Sequence, residues 1–134
     1  MHGLRGAAMK IADVMTADPC CVQSDEPLRE AHRLMRALRV RHLPVLDGDR
    51  LVGLVSERDL YLRETVRSVD PGIELVSEAM SERPFAVAPT ANVREVVEEM
   101  RDKSYGSAVV VDRGHVTGIF TRADALRALE MLLE

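Results

Sequence analysis

Apolar residues in this chain follow two rhythms, and the rhythms occur in the same order twice. Leu28, Ala31, Leu34, Met35 and Leu38 fall at the spacing of one helix face, as do Val93, Val96, Val97 and Met100. Short apolar runs predict strands over Cys20–Val22, His42–Leu46 and Leu51–Val55, and again over Phe85–Val87, Ser107–Val111 and Val116–Phe120. Asp47-Gly48-Asp49 and Arg113-Gly114 read as hairpin turns between the paired runs. Ser24-Asp25-Glu26-Pro27 predicts a helix start, with a capping side chain, early acids and Pro in the first turn. Ser56 is predicted to cap a helix running through Leu60 and Leu62 toward Arg67, and Thr121 one running through Leu126, Leu129 and Leu133. Ile11–Met15 and Val76–Met80 read as short helical turns.

The two series align without a gap. Ile11–Leu60 moved forward by 65 positions lands on Val76–Ala125 with 11 identities in 50 positions, among them Met15/Met80, Gly53/Gly118 and Asp59/Asp124. Val69-Asp70-Pro71-Gly72 punctuates the chain between them. The organisation predicted is a tail over 1–10, a first repeat over 11–67, a linker over 68–75 and a second repeat over 76–134. A unit of roughly 60 residues buries too little surface to be comfortable alone, so the copies are expected to share a core. Each half reads β-α-β-β-α, giving a mixed α/β (α+β) fold. The parallel strands are joined through a helix, and the halves are expected to be related by a pseudo-two-fold axis with their sheets face to face.

Composition narrows the function. With 46% hydrophobic and 30% charged residues the chain is an ordinary globular protein. A net charge of −4 argues against a nucleic-acid surface, and two Tyr with two Phe leave little for a base-stacking platform. No apolar run reaches the length of a membrane span, and Met1–Ala8 lacks the apolar core of a secretory signal, so a cytoplasmic protein is expected. Cys20 and Cys21 are adjacent; on a strand one would be buried and the other exposed. A metal or redox role for them is a remaining reading, although a zinc site takes about four ligands and the histidines form no local motif with them.

The chemical feature is the end of the last strand in each half: Gly53-Leu-Val-Ser56-Glu57-Arg58-Asp59 and Gly118-Ile-Phe-Thr121-Arg122-Ala-Asp124. A hydroxyl with an acid three residues on is close to a capping box, and the acid suits the helix dipole. The same geometry offers free N–H groups and a hydroxyl to an anion, and a carboxylate to the two hydroxyls of a ribose. Both readings stand on these residues alone.

The chain resembles the CBS-domain family (cystathionine β-synthase domains) in its paired arrangement, the Bateman module. The matching residues are Asp13-Val14-Met15-Thr16, His42-Leu43-Pro44-Val45, Asp47-Gly48 and Ser56-x-x-Asp59, then Ala79-Met80-Ser81, Ser107-Ala-Val-Val110-Val-Asp112 and Thr121-x-x-Asp124. The resemblance implies a regulatory module with no required cofactor. It would bind AMP, ADP, ATP or S-adenosylmethionine in clefts between the repeats. It implies Asp59 and Asp124 as ribose acids, Ser56 and Thr121 beside the phosphate, Thr16 and Ser81 near the base, and Val45 and Val110 lining the base pocket. Val109 stands where the first half has Pro44, so the two pockets should differ. Arg122 follows Thr121 where Glu57 follows Ser56, which favours phosphate at the second site. Arg36, Arg39, Arg41 and Arg58 could compensate at the first.

No nucleophile–base pair, metal triad, Walker-type loop or Gly-rich dinucleotide fingerprint occurs, so no enzyme is expected. The leading reading is a stand-alone ligand-sensing module acting through a regulated protein, itself unidentified, or through its own oligomer. It has neither nucleic acid nor membrane as partner. The alternative is a dimeric structural or interaction protein with empty clefts. A homodimer is expected because the apolar residues of the two capped helices, including Leu60, Leu126, Leu129 and Leu133, exceed what one small module can bury.

Overall fold

A computed structural model describes residues 9–66 and 68–134. The tail expected over 1–8 and the helix end expected at Arg67 lie outside the described residues. The remaining two tail positions are ordered by pairing: Lys10 bridges Asn92, and the Met9 carbonyl accepts from the Val93 amide at 3.0 Å. The elements in chain order are α1 (Ile11–Val14), β1 (Thr16–Ala17), β2 (Val22–Gln23), α2 (Leu28–Leu38), β3 (His42–Asp47), β4 (Arg50–Ser56) and α3 (Glu57–Glu64). They continue as α4 (Val76–Ala79), β5 (Ser81–Glu82), β6 (Ala86–Val87), α5 (Val93–Lys103), β7 (Ser107–Asp112), β8 (His115–Thr121) and α6 (Arg122–Leu132).

These elements form two compact units. One gathers the described part of Met1–Pro19 with Phe85–Glu134; the other is Cys20–Pro84. Each holds a four-stranded mixed sheet, ordered β1-β8-β7-β6 in the first and β5-β4-β3-β2 in the second. In both, a helix crossover joins two parallel strands, a hairpin adds an antiparallel strand, and a two-residue strand closes the edge. The division in space therefore does not follow the boundary between sequence repeats. Each sheet takes its edge strand from the short helical turn that opens the other repeat. Those edge strands, Thr16–Ala17 and Ser81–Glu82, were not predicted. Two exposed, mainly polar residues carry no period, and they become strands only because β8 and β4 offer them a ladder.

The hairpins repeat in detail. Gly48, Arg113 and Gly114 take positive φ in the two-residue loops, where glycine does so at little cost. In both hairpins the register slips at the same place, after Val45 and after Val110, leaving Val52 and Thr117 outside the pairing. The shift sets Gly53 opposite Val45 and Gly118 opposite Val110. A Cβ at Gly53 would stand 2.5 Å from the Met80 sulfur and 2.9 Å from the Ser81 carbonyl oxygen. A Cβ at Gly118 would overlap Met15 in the same way. The glycines therefore make room for the methionine of the other repeat's turn.

Each core lies between a sheet and its helices. Val22, Leu28, Ala31, Met35, Leu43, Val45, Val55, Leu60 and Val76 form one; Ile11, Val93, Val96, Met100, Ala108, Val110 and Phe120 form the other. Full burial of a side chain such as Leu28 or Leu43 contributes roughly 1.5–3 kcal/mol. Leu60 is fully buried here, one turn into α3, which corrects its placement among surface residues available to a dimer. The start of α2 also differs from expectation. Its N-cap is Pro27, with no side-chain cap. The Leu28 and Arg29 amides instead donate to the Glu74 and Pro71 carbonyls at 2.9 and 2.8 Å, so linker backbone takes the place of the Ser24 hydroxyl.

Candidate functional site

The two hydroxyl-x-x-acid motifs fold as helix caps and then diverge. At the β8–α6 junction, Thr121 is N-cap with extended backbone. The Thr121 amide donates to Asp124 Oδ2 at 2.8 Å, its hydroxyl donates to the same oxygen at 3.1 Å, and the Asp124 amide lies 3.4 Å from that hydroxyl. Asp124 is only 1% exposed. Its other oxygen, Oδ1, accepts from the Thr16 hydroxyl at 2.9 Å and from the Arg127 guanidinium. Thr16 arrives on β1, from the first repeat. Both oxygens of this carboxylate are engaged by its own chain.

At the β4–α3 junction the cap is the same. The Ser56 amide donates to Asp59 Oδ2 at 2.9 Å, and the Asp59 amide donates to the Ser56 hydroxyl at 3.0 Å. The Glu57 amide donates to the Arg41 carbonyl at 2.9 Å, so two of the first three helix amides are occupied. Asp59 is half-buried, and its Oδ1 has no partner among the described residues. Ser81 arrives on β5 as Thr16 does on β1, and both are exposed, but Ser81 makes no bond to Asp59. Where α6 carries Arg127, the 65-residue offset gives α3 Leu62, which has no donor to offer.

Strand pairing decides which other predicted residues join these sites. Thr16 lies opposite Ile119, and Ile119 opposite Val109; likewise Ser81 lies opposite Leu54, and Leu54 opposite Pro44. Directly paired side chains share a face. The sheet face that carries Thr16 therefore carries Ile119 and Val109, and in the other sheet the face that carries Ser81 carries Leu54 and Pro44; the sequence reading did not assign these four to the site. Val45 and Val110 point the other way, fully buried in the cores beside the helices. Strand alternation thus separates them from Thr16, Ser81 and the carboxylates. Ser107, opposite Thr121, is 2% exposed and its hydroxyl has no partner among the described residues.

The arginines also separate. Arg122 is exposed and lines an open cleft of about 260 Å³ with Val97, Met100, Arg101, Ser104 and Tyr105, at the end of α5. The cation on the Asp124 carboxylate is Arg127, which sequence reasoning missed. An arginine three residues after a helix acid was the available signal. Arg36, Arg39, Arg41 and Arg58 are all exposed. Cys20 is exposed and Cys21 half-buried, and neither lies on a strand. Burial, and then the neighbouring Cys20, push the Cys21 thiol up to about 11, which disfavours the thiolate a metal or redox role requires. No helix among the described residues is long and apolar enough to cross a membrane.

The CBS domain family model matches residues 11–63 and 76–131. The chain is 36% identical over 118 residues to YlbB of Bacillus subtilis (strain 168), covering 86% of this chain and 78% of that protein. The crystal structure of a putative acetoin utilization protein (AcuB) from Vibrio cholerae superposes with a TM-score of 0.84 at 32% identity, covering 93% of each chain. CBSX2 of Arabidopsis thaliana, solved in complex with AMP, superposes with a TM-score of 0.79 at 25% identity, covering 93% of this chain and 98% of that one.

Proposed function

Because the chain belongs to the CBS-domain family, we propose that it is a regulatory module whose hydroxyl-acid sites bind an adenosyl nucleotide. The observation that carries this reading is Asp59. Its Oδ2 accepts from the Ser56 amide, and its Oδ1 remains available beside the start of α3. An ionised acceptor held in that way suits the two hydroxyls of a ribose, and the helix start suits a phosphate. The CBSX2 structure, related over most of both chains, contains AMP. Thr16 with Thr121 and Asp124, and Ser81 with Ser56 and Asp59, are the corresponding sets, each drawing on both repeats. Arg122 makes no ion pair with Asp124, and its part would be long-range attraction of a phosphate.

The module acts through a regulated protein or its own oligomer, in the cytoplasm, and has no catalytic role. A homodimer is supported by the outer face of α6 and its continuation, where Leu126, Leu129 and Leu133 are 63%, 49% and 75% exposed. Apolar side chains so placed along one helix mark an interface, and a closed two-fold pair is the commonest solution. Titration calorimetry with AMP, ADP, ATP and S-adenosylmethionine tests the reading. Binding of at least one is expected. No heat from all four would leave a dimeric interaction protein whose motifs only cap helices.

A further inference from the structure

We infer that Arg127 is a gate on the second site: with Thr16 it occupies the Asp124 carboxylate in place of a ligand, so the Ser56–Asp59 site fills first. The inference rests on the nucleotide reading above. A carboxylate offers about four lone-pair positions. At Asp124 all are in use, by Thr16 and Arg127 on Oδ1 and by the Thr121 amide and hydroxyl on Oδ2. A ribose must displace some of these donors before it can bind. The one it meets on Oδ1 is a guanidinium, whose charge-assisted bond is stronger than the hydroxyl bond that would replace it.

The other repeat is an internal control. Its cap is built from the same groups at the same helix positions, yet Leu62 replaces Arg127, Ser81 makes no bond to Asp59, and Asp59 Oδ1 has no partner among the described residues. The order this gives is opposite to that expected from Arg122 and Glu57. The cation that reaches Asp124 competes with the ligand instead of assisting it. Arg127 can also leave. Its side chain is 64% exposed, so it can swing into water when a ribose hydroxyl takes its place on the carboxylate. That makes it a gate and not a permanent plug.

Titration calorimetry with AMP on wild type, Asp59→Asn, Arg127→Leu and the double variant decides it. Asp59→Asn leaves the Asp124 site as the one with an intact acid. Adding Arg127→Leu in that background should tighten AMP about ten-fold. Arg127→Gln should do nearly the same, which excludes an effect of the added apolar surface. Melting curves check that each variant is folded. If AMP binds wild type but the Arg127 changes leave the Asp59→Asn protein unaltered, the gate is overturned and nucleotide binding stands. If no variant binds AMP, ADP, ATP or S-adenosylmethionine, the nucleotide reading falls and the gate falls with it.

Discussion

The Thr16 hydroxyl meets the buried Asp124 carboxylate at 2.9 Å across 108 residues of sequence. The first short turn of the chain thereby reaches the acid of the last helix, and a motif that looks local in each repeat is completed by the other. Its counterpart, Ser81 with Asp59, has the same strand placement without the bond.

Asp59→Ala should weaken the first binding event. Loss of hydrogen bonds to an ionised acceptor costs about 1.5–3 kcal/mol, or roughly ten- to a hundred-fold in affinity. The same change removes half of a capping box and should lower stability by about 0.5–2 kcal/mol. Asp59→Asn keeps an acceptor for the Ser56 amide, so in calorimetry and chemical denaturation it should separate the two effects. An affinity unchanged in both variants would remove Asp59 from the site.

Gly118→Ala should destabilise the protein by about 1–3 kcal/mol, because the added methyl group overlaps Met15. The double variant Gly118→Ala/Met15→Ala should recover part of that loss when measured by urea unfolding. Additive losses would mean that the glycine serves only the bend of the strand.

The sequence made the repeat, both hairpins and both caps legible, because each has a local signal: an offset, a turn pair, a hydroxyl followed by an acid. It misplaced Leu60, since a leucine one turn into a capped helix carries no mark of which face is buried. It misplaced Val45 and Val110 because each strand is apolar on both faces, so alternation gave no clue to direction. Ser24 looked like a cap because the competing acceptors, the Pro71 and Glu74 carbonyls, are distant in sequence. The edge strands and the Arg127 contact depend on partners that only the fold brings together.

Leu129→Glu, alone or with Leu126→Glu, should turn a dimer into a monomer with little change in the core. Both side chains are exposed and lie outside the two core clusters. Light scattering at tens of micromolar reads the mass. Leu60→Ala provides the contrast: it should leave the assembly alone and cost about 2–5 kcal/mol of stability.

Cys21 should make the protein sensitive to alkali. Burial, and then Cys20, push its folded thiol up to about 11, whereas an unfolded chain ionises it at an ordinary thiol pKa of about 8.5. The unfolded state therefore loses this proton first as pH rises. The stability associated with the group is complete below the unfolded value and declines from there up to the folded one. Cys21→Ser should lose less stability than wild type between neutral pH and about pH 10 in urea titrations. Equal alkaline losses would assign the sensitivity to other groups.

Ser107→Ala should raise the melting temperature. The hydroxyl is buried without a partner among the described residues, and leaving such a group unsatisfied costs about 1–3 kcal/mol. A lowered melting temperature would show that the hydroxyl has a partner in solution.

The edge strands bind the two repeats to a common fate. One repeat alone would carry a leading segment with no sheet of its own to join, and a sheet with an open edge. Two identical single-repeat chains could satisfy one another by trading those segments, and neither could do so alone. A single-repeat chain built in this way would be expected to fold as a pair. The linker around Asp70-Pro71-Gly72 makes the encounter between the two repeats an event within one molecule. Folding then depends not on protein concentration but on a fixed local supply of the partner segment.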